Sequence, residues 1–257
     1  MFGQSILILV PHPDDEVVGP LIAGQRAIQQ GSSIHLLYLT NGVPARETLW
    51  PWHRHRHGER VATRWDEAET VAKLAGFAIA ARQDIPTRTL RSHMKQTESL
   101  MTEALRSTGA DTLWCPAWEG GHQDHDVANA LASRQRSVQV YEFAEYNNAG
   151  GSPRLNRFPK DTGKEIVLTL TEEEQAFKKR CLGLYASEKA NLSLAGTGLE
   201  TFRPLPVHDY AALPHEGTLF HARFRRFGWH PRVDETDPLD VRADLASYLG
   251  LEASDGH

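Results

Sequence analysis

Two short stretches of the chain concentrate histidine and acidic side chains. The first is PHPDDE at residues 11–16, which directly follows an apolar run. The second is HQDHD at residues 122–126, which opens another apolar segment. Imidazole nitrogens and carboxylate oxygens are ligands that zinc and similar divalent ions bind in proteins. We therefore take His12, Asp15 and His125 as candidate ligands of one metal ion.

The segments before the two clusters predict how the fold brings them together. Residues 5–10 (SILILV) and residues 111–115 (DTLWC) are short and largely apolar, which indicates buried strands. In an open α/β sheet, ligands bind outside the carboxyl ends of the strands. Each cluster follows a predicted strand and precedes a predicted helix, so two parallel strands would place both clusters at one edge of the sheet.

A metal ion with three protein ligands can activate a water molecule for hydrolysis. Three ligands leave a tetrahedral position open for water, as a catalytic zinc site requires. The ion lowers the pKa of that water towards about 7 and polarises a carbonyl oxygen. This combination is typical of a metal-dependent hydrolase.

The rest of the first 145 residues alternates between predicted strands and helices. This alternation favours a Rossmann-like, doubly wound, mostly parallel sheet with right-handed crossovers. Further strands are predicted at residues 34–39, 77–81 and 138–143, and helices at 16–30, 59–75, 92–107 and 124–136.

Beyond residue 145 the alternation stops. Thr171 and Glu174 have the spacing of a capping box, so a helix is predicted from there to about residue 187. We expect a single domain over 1–257, with a core at 1–145 and a C-terminal elaboration at 146–257. Within the elaboration we predict strands at 166–170 and 218–227, irregular structure at 191–206 and a helix at 239–249.

Composition excludes several classes of protein. The formal net charge of −5 argues against a general nucleic-acid binder. The two cysteines, Cys115 and Cys181, form no CxxC pair, which fits a reducing compartment. The apolar run at residues 6–10 is too short for a signal peptide or a membrane span. We expect a cytoplasmic protein without membrane insertion, and a homo-oligomer is compatible with the sequence.

The PHPDDE motif after the first strand, together with the later HQDHD cluster, resembles the LmbE-like (PIG-L) family of zinc-dependent N-deacetylases. The resemblance covers roughly the first 145 residues. It implies an LmbE-like fold, a bound Zn²⁺ or another divalent ion, and a small-molecule substrate. The implied reaction removes an acyl group, above all acetyl, from the amine of an N-acetylated sugar such as N-acetylglucosamine or of a sugar conjugate.

Four further residues in the two clusters have candidate roles. By the resemblance, Asp14 is the general base that takes the proton of the attacking water; the alternative is a turn-forming hydrogen-bond partner. His122 is expected to stabilise the oxyanion or to protonate the leaving amine, unless it is a fourth metal ligand or a loop histidine. Asp124 is expected to orient a histidine. Glu16 is expected to cap a helix or to hold a ligand.

Three residues outside the clusters are candidate substrate contacts. Asn41 occupies the family's Thr-Asp/Asn-Gly segment at the rim of the pocket. Arg64 matches an arginine that reaches the substrate in the family, although it could equally form a surface pair with Glu67 one turn away. Some relatives carry a tyrosine where this chain has Gly120, so a phenol would have to come from elsewhere, and Tyr146 is the candidate.

Two loops are expected to determine the substrate, namely residues 43–58 and 149–163. The first contains WPWHRHRH at residues 50–57. Its alternating histidines invite a second metal site, but a solvated loop near the active site explains them more simply. Its tryptophans and arginines would also suit contact with a sugar or an anionic substrate.

Two alternative functions remain open at this stage. One is a catalytically inactive, metal-containing sugar-binding domain. The other is an HD-type phosphohydrolase, suggested by His125 and Asp126, but that fold is all-helical and the strand before His12 argues against it. Replacing Asp14 by alanine would distinguish a catalyst from a binding domain, because only a catalyst would lose turnover while keeping its metal.

Overall fold

The computed structural model describes residues 1–227, 229–230 and 233–251. Nine strands are formed by these residues: β1 (Ser5–Val10), β2 (Ser33–Tyr38), β3 (Ala78–Arg82), β4 (Thr112–Pro116), β5 (Gln139–Ala144), β6 (Tyr146–Asn147), β7 (Arg154–Leu155), β8 (Ile166–Thr169) and β9 (Leu199–Pro204). The α-helices in the same residues are α1 (Asp15–Val18), α2 (Leu21–Gln29), α3 (His57–Ala75), α4 (Met94–Thr108), α5 (Gln123–Ala132), α6 (Glu172–Leu184), α7 (Lys189–Leu192) and α8 (Pro238–Leu249).

A seven-stranded sheet with the order β3-β2-β1-β4-β5-β9-β8 forms the centre of the fold. Strands β1 to β5 run parallel, whereas β9 and β8 are added antiparallel at one side. This confirms the predicted Rossmann-like, mostly parallel α/β sheet. It also excludes the all-helical fold of an HD-type phosphohydrolase.

The apolar run of β1 is buried on both faces of the sheet. Ile6, Ile8 and Val10 belong to one core, which is completed by side chains of α2, α3 and α6. Leu7 and Leu9 belong to a second core, with side chains of α4, α5 and α8. The sheet is therefore covered by helices on both sides, which explains why β1 shows no polar alternation.

The helix predicted at 16–30 is interrupted. Helix α1 ends at Val18, and Pro20 is the N-cap of α2. Gly19 lies against the ring of Phe143, where an added Cβ would come within 2.4 Å of a ring carbon. The break limits α1 to a single turn. The acidic residues that open this turn lie at the carboxyl end of β1.

The C-terminal part differs most from the prediction. Residues 218–227 form turns and a 3₁₀ segment, so the edge strand predicted there is wrong. A strand is found instead at β9, inside the range 191–206 that was expected to be irregular. Two charged residues of β9 are buried in ion pairs: Glu200 with Lys178 at 2.7 Å and Arg203 with Glu142 at 2.6 Å. Because these pairs neutralise the charges, β9 can be buried although its sequence is polar.

Because β8 and β9 continue the sheet of the core, we propose that the whole chain forms one domain. Among the described residues, no helix combines the length and the apolar character needed to cross a bilayer.

Candidate metal centre and active site

Three donor atoms from the two predicted clusters surround one point. His12 Nδ1 and His125 Nε2 each lie 3.1 Å from Asp15 Oδ2, and the two nitrogens are 3.2 Å apart. All three residues are buried. Donors around a tetrahedral zinc ion with bonds of about 2.0–2.1 Å are separated by about 3.3–3.4 Å. The triangle therefore has nearly the size that such an ion needs.

In each candidate ligand histidine, the ring nitrogen that points away from the triangle faces a carboxylate. His12 Nε2 lies 3.0 Å from Asp124 Oδ2, and His125 Nδ1 lies 2.9 Å from Glu145 Oε2. These partners assign the proton to the far nitrogen of each ring, so that the near nitrogen presents a lone pair to the triangle. Two lone pairs and a carboxylate oxygen facing one another fit a divalent cation.

The parallel pairing of β1 and β4 brings the clusters together. His12 follows β1, and its backbone N–H donates to Asp15 Oδ2 at 2.8 Å, which fixes that carboxylate. His125 lies in the first turn of α5, directly beyond the loop that follows β4. The sequence-based expectation that strand ends would join these residues matches the geometry.

His122 is the N-cap residue of α5 and lies beside the triangle, with its ring centroid 4.4 Å from that of His12. Its Nδ1 accepts a hydrogen bond from the backbone N–H of Asp124 at 3.1 Å. In the neutral ring the proton is then on Nε2, which leaves no lone pair for a metal. Burial and the nearby His12 hold the pKa of His122 well below its usual value. His122 is therefore better suited to donate a hydrogen bond than to serve as a fourth ligand.

Asp14 has an unusual backbone conformation, with φ 129°. A non-glycine residue in such a region costs about 1–3 kcal/mol and persists only when its surroundings hold it. Its backbone N–H donates to Glu16 Oε2 at 3.0 Å, and Arg64 Nη2 donates to its Oδ2 at 3.1 Å. Burial raises the pKa of Asp14 well above its usual value, although the charge of Arg64 opposes the shift.

Residues 7–135 match the PIG-L family, described as GlcNAc-PI de-N-acetylase. The chain belongs to the PIG-L family. No curated protein sequence matches it.

Several solved structures share the fold. The A40926 pseudoaglycone deacetylase Dbv21 is 16% identical with a TM-score of 0.61, covering 78% of this chain and 96% of its own. The N,N'-diacetylchitobiose deacetylase of Pyrococcus horikoshii is 15% identical with a TM-score of 0.54, covering 79% and 84%. The 4-carboxy-2-hydroxymuconate hydratase GalB of Pseudomonas putida is 15% identical with a TM-score of 0.55, covering 80% and 98%. Since one neighbour is a hydratase, the fold alone does not specify the reaction.

Arg64 of this PIG-L chain is buried, with 2% of its surface exposed, so the alternative of a surface pair with Glu67 is wrong. Besides Asp14, its Nη2 contacts the backbone oxygen of Pro13, and its guanidinium lies 5.5 Å from the ring centre of Tyr185. Arg64 lines the cavity, but these contacts direct it to the turn that carries Asp14.

Glu16 connects the turn at Asp14 with Tyr185, and it contacts none of the three candidate metal ligands through a side-chain hydrogen bond. Its two oxygens accept hydrogen bonds from the backbone N–H of Asp14 and from the hydroxyl of Tyr185. Burial raises the pKa of Glu16 to about 7. Tyr185, at the end of α6, therefore ties the C-terminal part of the chain to the Asp14 turn, a connection that the sequence analysis did not predict.

Glu145 and Glu119 were also missed. Glu145 faces His125, and Glu119 Oε1 accepts hydrogen bonds from the backbone N–H groups of Glu145 and Tyr146 at 2.8 and 3.0 Å. Glu145 directly follows β5, the neighbour of β4, so the same strand-end rule that found His12 would have found it.

The candidate substrate contacts lie in different environments. Asn41 is buried, and its side chain donates to Asp84 Oδ1 at 2.9 Å and accepts from the backbone N–H of Val43 at 3.0 Å. The amide nitrogen is thus bound to the segment that follows β3, and the amide oxygen to the loop of Asn41 itself. Tyr146 lines the cavity, with its ring centroid 5.7 Å from that of His125.

A cavity of about 1,210 Å³ opens over the triangle. Of the two loops expected to shape it, residues 43–58 supply a large part of one wall, whereas residues 149–163 contribute only Leu155 among the described lining residues. Described residues at 187–195, 220–224, 230 and 233–234 line the rest of its outer part, together with the first half of α3. In the described part of the chain, the histidines of the 50–57 segment form no metal-binding group.

Proposed function

We propose that this chain is a metal-dependent hydrolase that removes an acyl group, with acetyl as the first candidate, from the amine of an N-acylated sugar or sugar conjugate. The observation that carries the proposal is the triangle of His12, Asp15 and His125 donors with Asp14 and His122 beside it in one cavity. Membership in the PIG-L family supports it, as does the likeness to the A40926 pseudoaglycone deacetylase and the N,N'-diacetylchitobiose deacetylase.

His12, Asp15 and His125 would hold the ion, which we take to be zinc or another divalent metal. When bound, the ion supplies Lewis acidity towards water and towards the amide carbonyl oxygen. Asp124 and Glu145 keep the two imidazoles in the orientation and tautomer that binding requires.

Asp14 acts as the general base in this proposal. Arg64 occupies Oδ2 of its carboxylate, so Oδ1 is the oxygen left to take a proton from the attacking water. A raised pKa makes the carboxylate a stronger base. The proton that Asp14 receives is then passed to the amine nitrogen as the carbon–nitrogen bond breaks, which yields the free amine and the carboxylic acid.

His122 donates a hydrogen bond from Nε2 to the carbonyl oxygen as negative charge develops on it. A neutral imidazole suits this role, since the low pKa of His122 disfavours an imidazolium that could protonate the amine. Of the two roles considered for His122, oxyanion stabilisation is therefore the one we propose.

Acetate release from a panel of N-acetylated sugars and glycosides tests the function. The purified protein is assayed as isolated, after chelation, and after addition of one equivalent of Zn²⁺, Mn²⁺ or Co²⁺. We expect release that is lost on chelation, restored by metal, and at least about 100-fold slower in a metal-loaded Asp14→Asn variant. A chain that binds metal and releases no acetate from any member would contradict the proposal in its acetyl form.

A further inference from the structure

Two segments that are distant in sequence bring aromatic side chains together at the outer end of the cavity. Trp50 and Trp52 are stacked, with ring centroids 5.1 Å apart and an interplanar angle of 6°. The rings of Trp229 and His230 lie 6.3 and 6.2 Å from that of Trp50. We refer to Trp50, Trp52, Trp229 and His230 as the tryptophan rim.

The rim is exposed to an extent that its residue types rarely show. Trp52 is 62% and Trp229 is 70% exposed, and the neighbouring Phe224 is 51% exposed. Single apolar residues on a surface need no explanation, but a contiguous group of them marks a binding site. Because tryptophan and phenylalanine have large apolar surfaces, a ligand that covers the rim would gain from removing them from water.

The rim is continuous with the metal centre. Apolar and aromatic residues of its surroundings line the same cavity as the triangle, namely Leu49, Trp50, Leu192, Leu194, Phe224 and His230. The cavity thus combines the polar side chains of the candidate metal centre with an apolar and aromatic group near the rim. Ligand pockets for drug-sized molecules measure about 300–1,000 Å³, so a monosaccharide would fill only a fraction of about 1,210 Å³.

Two charged side chains of the loop that carries Trp50 and Trp52 have partners close by. Arg54 donates to the backbone oxygens of Leu49 and Glu47 at 3.0 and 2.7 Å, and Arg56 pairs with Glu59 at 2.9 Å. The two arginines of the 50–57 segment therefore have partners within their own loop and α3. The segment therefore presents the ring of Trp50 and the imidazole of His53 to a ligand in the cavity.

We propose that the tryptophan rim is a subsite for an apolar aglycone, an alkyl or aryl group attached to the sugar. The inference rests on the proposed function for the sugar part of the substrate. A membrane surface fits less well, because the rim residues pack on one another around a cavity and the net charge of −5 disfavours an anionic bilayer. A second sugar ring fits less well, because Trp50 and Trp52 stack on each other.

The first test compares kcat/KM for methyl, octyl and 4-nitrophenyl N-acetyl-β-D-glucosaminides below the micelle-forming concentration of the octyl compound. We expect the octyl and aryl compounds to exceed the methyl compound by about tenfold or more, since several buried carbons contribute to binding. Trp50→Ala and Leu194→Ala should reduce this ratio towards one. Leu239→Ala is the matched control, because Leu239 is similarly exposed, at 49% against 59% for Leu194, and does not line the cavity.

The second test measures binding without turnover. Octyl β-D-glucoside carries no amide, and its binding by calorimetry should weaken about tenfold in Trp50→Ala, whose side chain lines the cavity, and remain unchanged in Leu239→Ala. If no amide is hydrolysed but this pattern holds, the proposed function fails and the rim inference stands. If methyl and octyl glycosides are hydrolysed equally well, the function stands and the inference is overturned.

Two other results would also overturn the inference. A preference for N,N'-diacetylchitobiose over the octyl glycoside that depends on Trp50 would make the rim a platform for sugar rings. Sedimentation with phosphatidylcholine vesicles that is lost in Trp52→Ala, with no difference between soluble glycosides, would make it a membrane-docking surface.

Discussion

Asp124 Oδ2 lies 3.0 Å from His12 Nε2, and this contact turns the opposite nitrogen, Nδ1, towards Asp15 and His125. Burial alone would raise the pKa of Asp124, but the hydrogen bond with His12 and neighbouring charges outweigh it and hold the pKa at about 2. Asp124 therefore remains an ionised acceptor. Asp124 lies on α5 directly before His125, and from there it fixes the ring of His12. Both histidines are candidate metal ligands.

Asp124→Asn should weaken metal affinity by about 10–100-fold, because the amide no longer fixes the His12 tautomer. Competition against a chromogenic chelator would measure the affinity. Asp240→Asn, an exposed change on α8, is the control and should leave it unchanged. Equal affinities for the wild type and Asp124→Asn would show that the His12–Asp124 contact has no part in metal binding.

Asp14→Asn should lower kcat by roughly 10²–10⁴-fold while the metal content stays at one equivalent, since a general base contributes about that much. Rapid-quench or steady-state assays on the metal-loaded variant, with elemental analysis of the same sample, would check it. Loss of the metal together with activity would instead place Asp14 among the ligands.

Arg64→Met should move the acidic limb of the kcat/KM profile to higher pH. The charge of Arg64 lowers the pKa of Asp14 against the effect of burial, so its removal raises that pKa further. A base with a higher pKa is protonated, and inactive, up to a higher pH. A profile whose limb stays in place while kcat falls evenly would show that Arg64 acts only by positioning Asp14. Arg64→Lys, which keeps the charge, should shift the limb less.

Glu142 provides a pH-dependent contribution to stability away from the metal centre. Burial would raise its pKa, but the hydrogen bond from His208 and the charge of Arg203 outweigh burial and lower it. A carboxyl whose pKa is lower in the folded state stabilises the protein above its unfolded pKa, about 4.3. That stabilisation is lost as the pH falls through the folded value.

Glu142→Gln should therefore reduce the free energy of unfolding at pH 7 by roughly 3 kcal/mol, the lower end for breaking a buried ion pair, because among the described residues Arg203 then keeps only its longer ion pair with Glu165, at 3.4 Å. The difference from the wild type should shrink as the pH falls below about 4.3. Urea unfolding at both pH values measures it, and Glu173→Gln, an exposed residue of α6, should change little. A difference that does not depend on pH would rule out the ionised pair as its source.

The core of the fold and the proximity of His12, Asp15 and His125 were predictable because they depend on local patterns. The SILILV run is typical of a buried strand. Parallel strands bring their carboxyl ends to one edge of the sheet, which favours an approach of His12 and His125. Glu145 follows from the same rule applied to β5. These residues need no information about the distant parts of the chain.

The remaining features depend on tertiary partners that the sequence does not show. Strand β9 carries Glu200 and Arg203 in its interior because Lys178 and Glu142 neutralise them. Tyr185 reaches Glu16 only once α6 has packed beside α1. The tryptophan rim likewise joins residues 50–52 to residues 229–230, and no local periodicity connects these segments.

Anomalous scattering at the zinc absorption edge, from crystals of the protein loaded with one equivalent of zinc, tests the ligand assignment most directly. We expect one peak within about 2.0–2.2 Å of His12 Nδ1, Asp15 Oδ2 and His125 Nε2, with His122 and Glu145 not coordinated. A zinc ion bound through His122 or Glu145 in place of one of these three residues, or no ion at the triangle, would contradict the account.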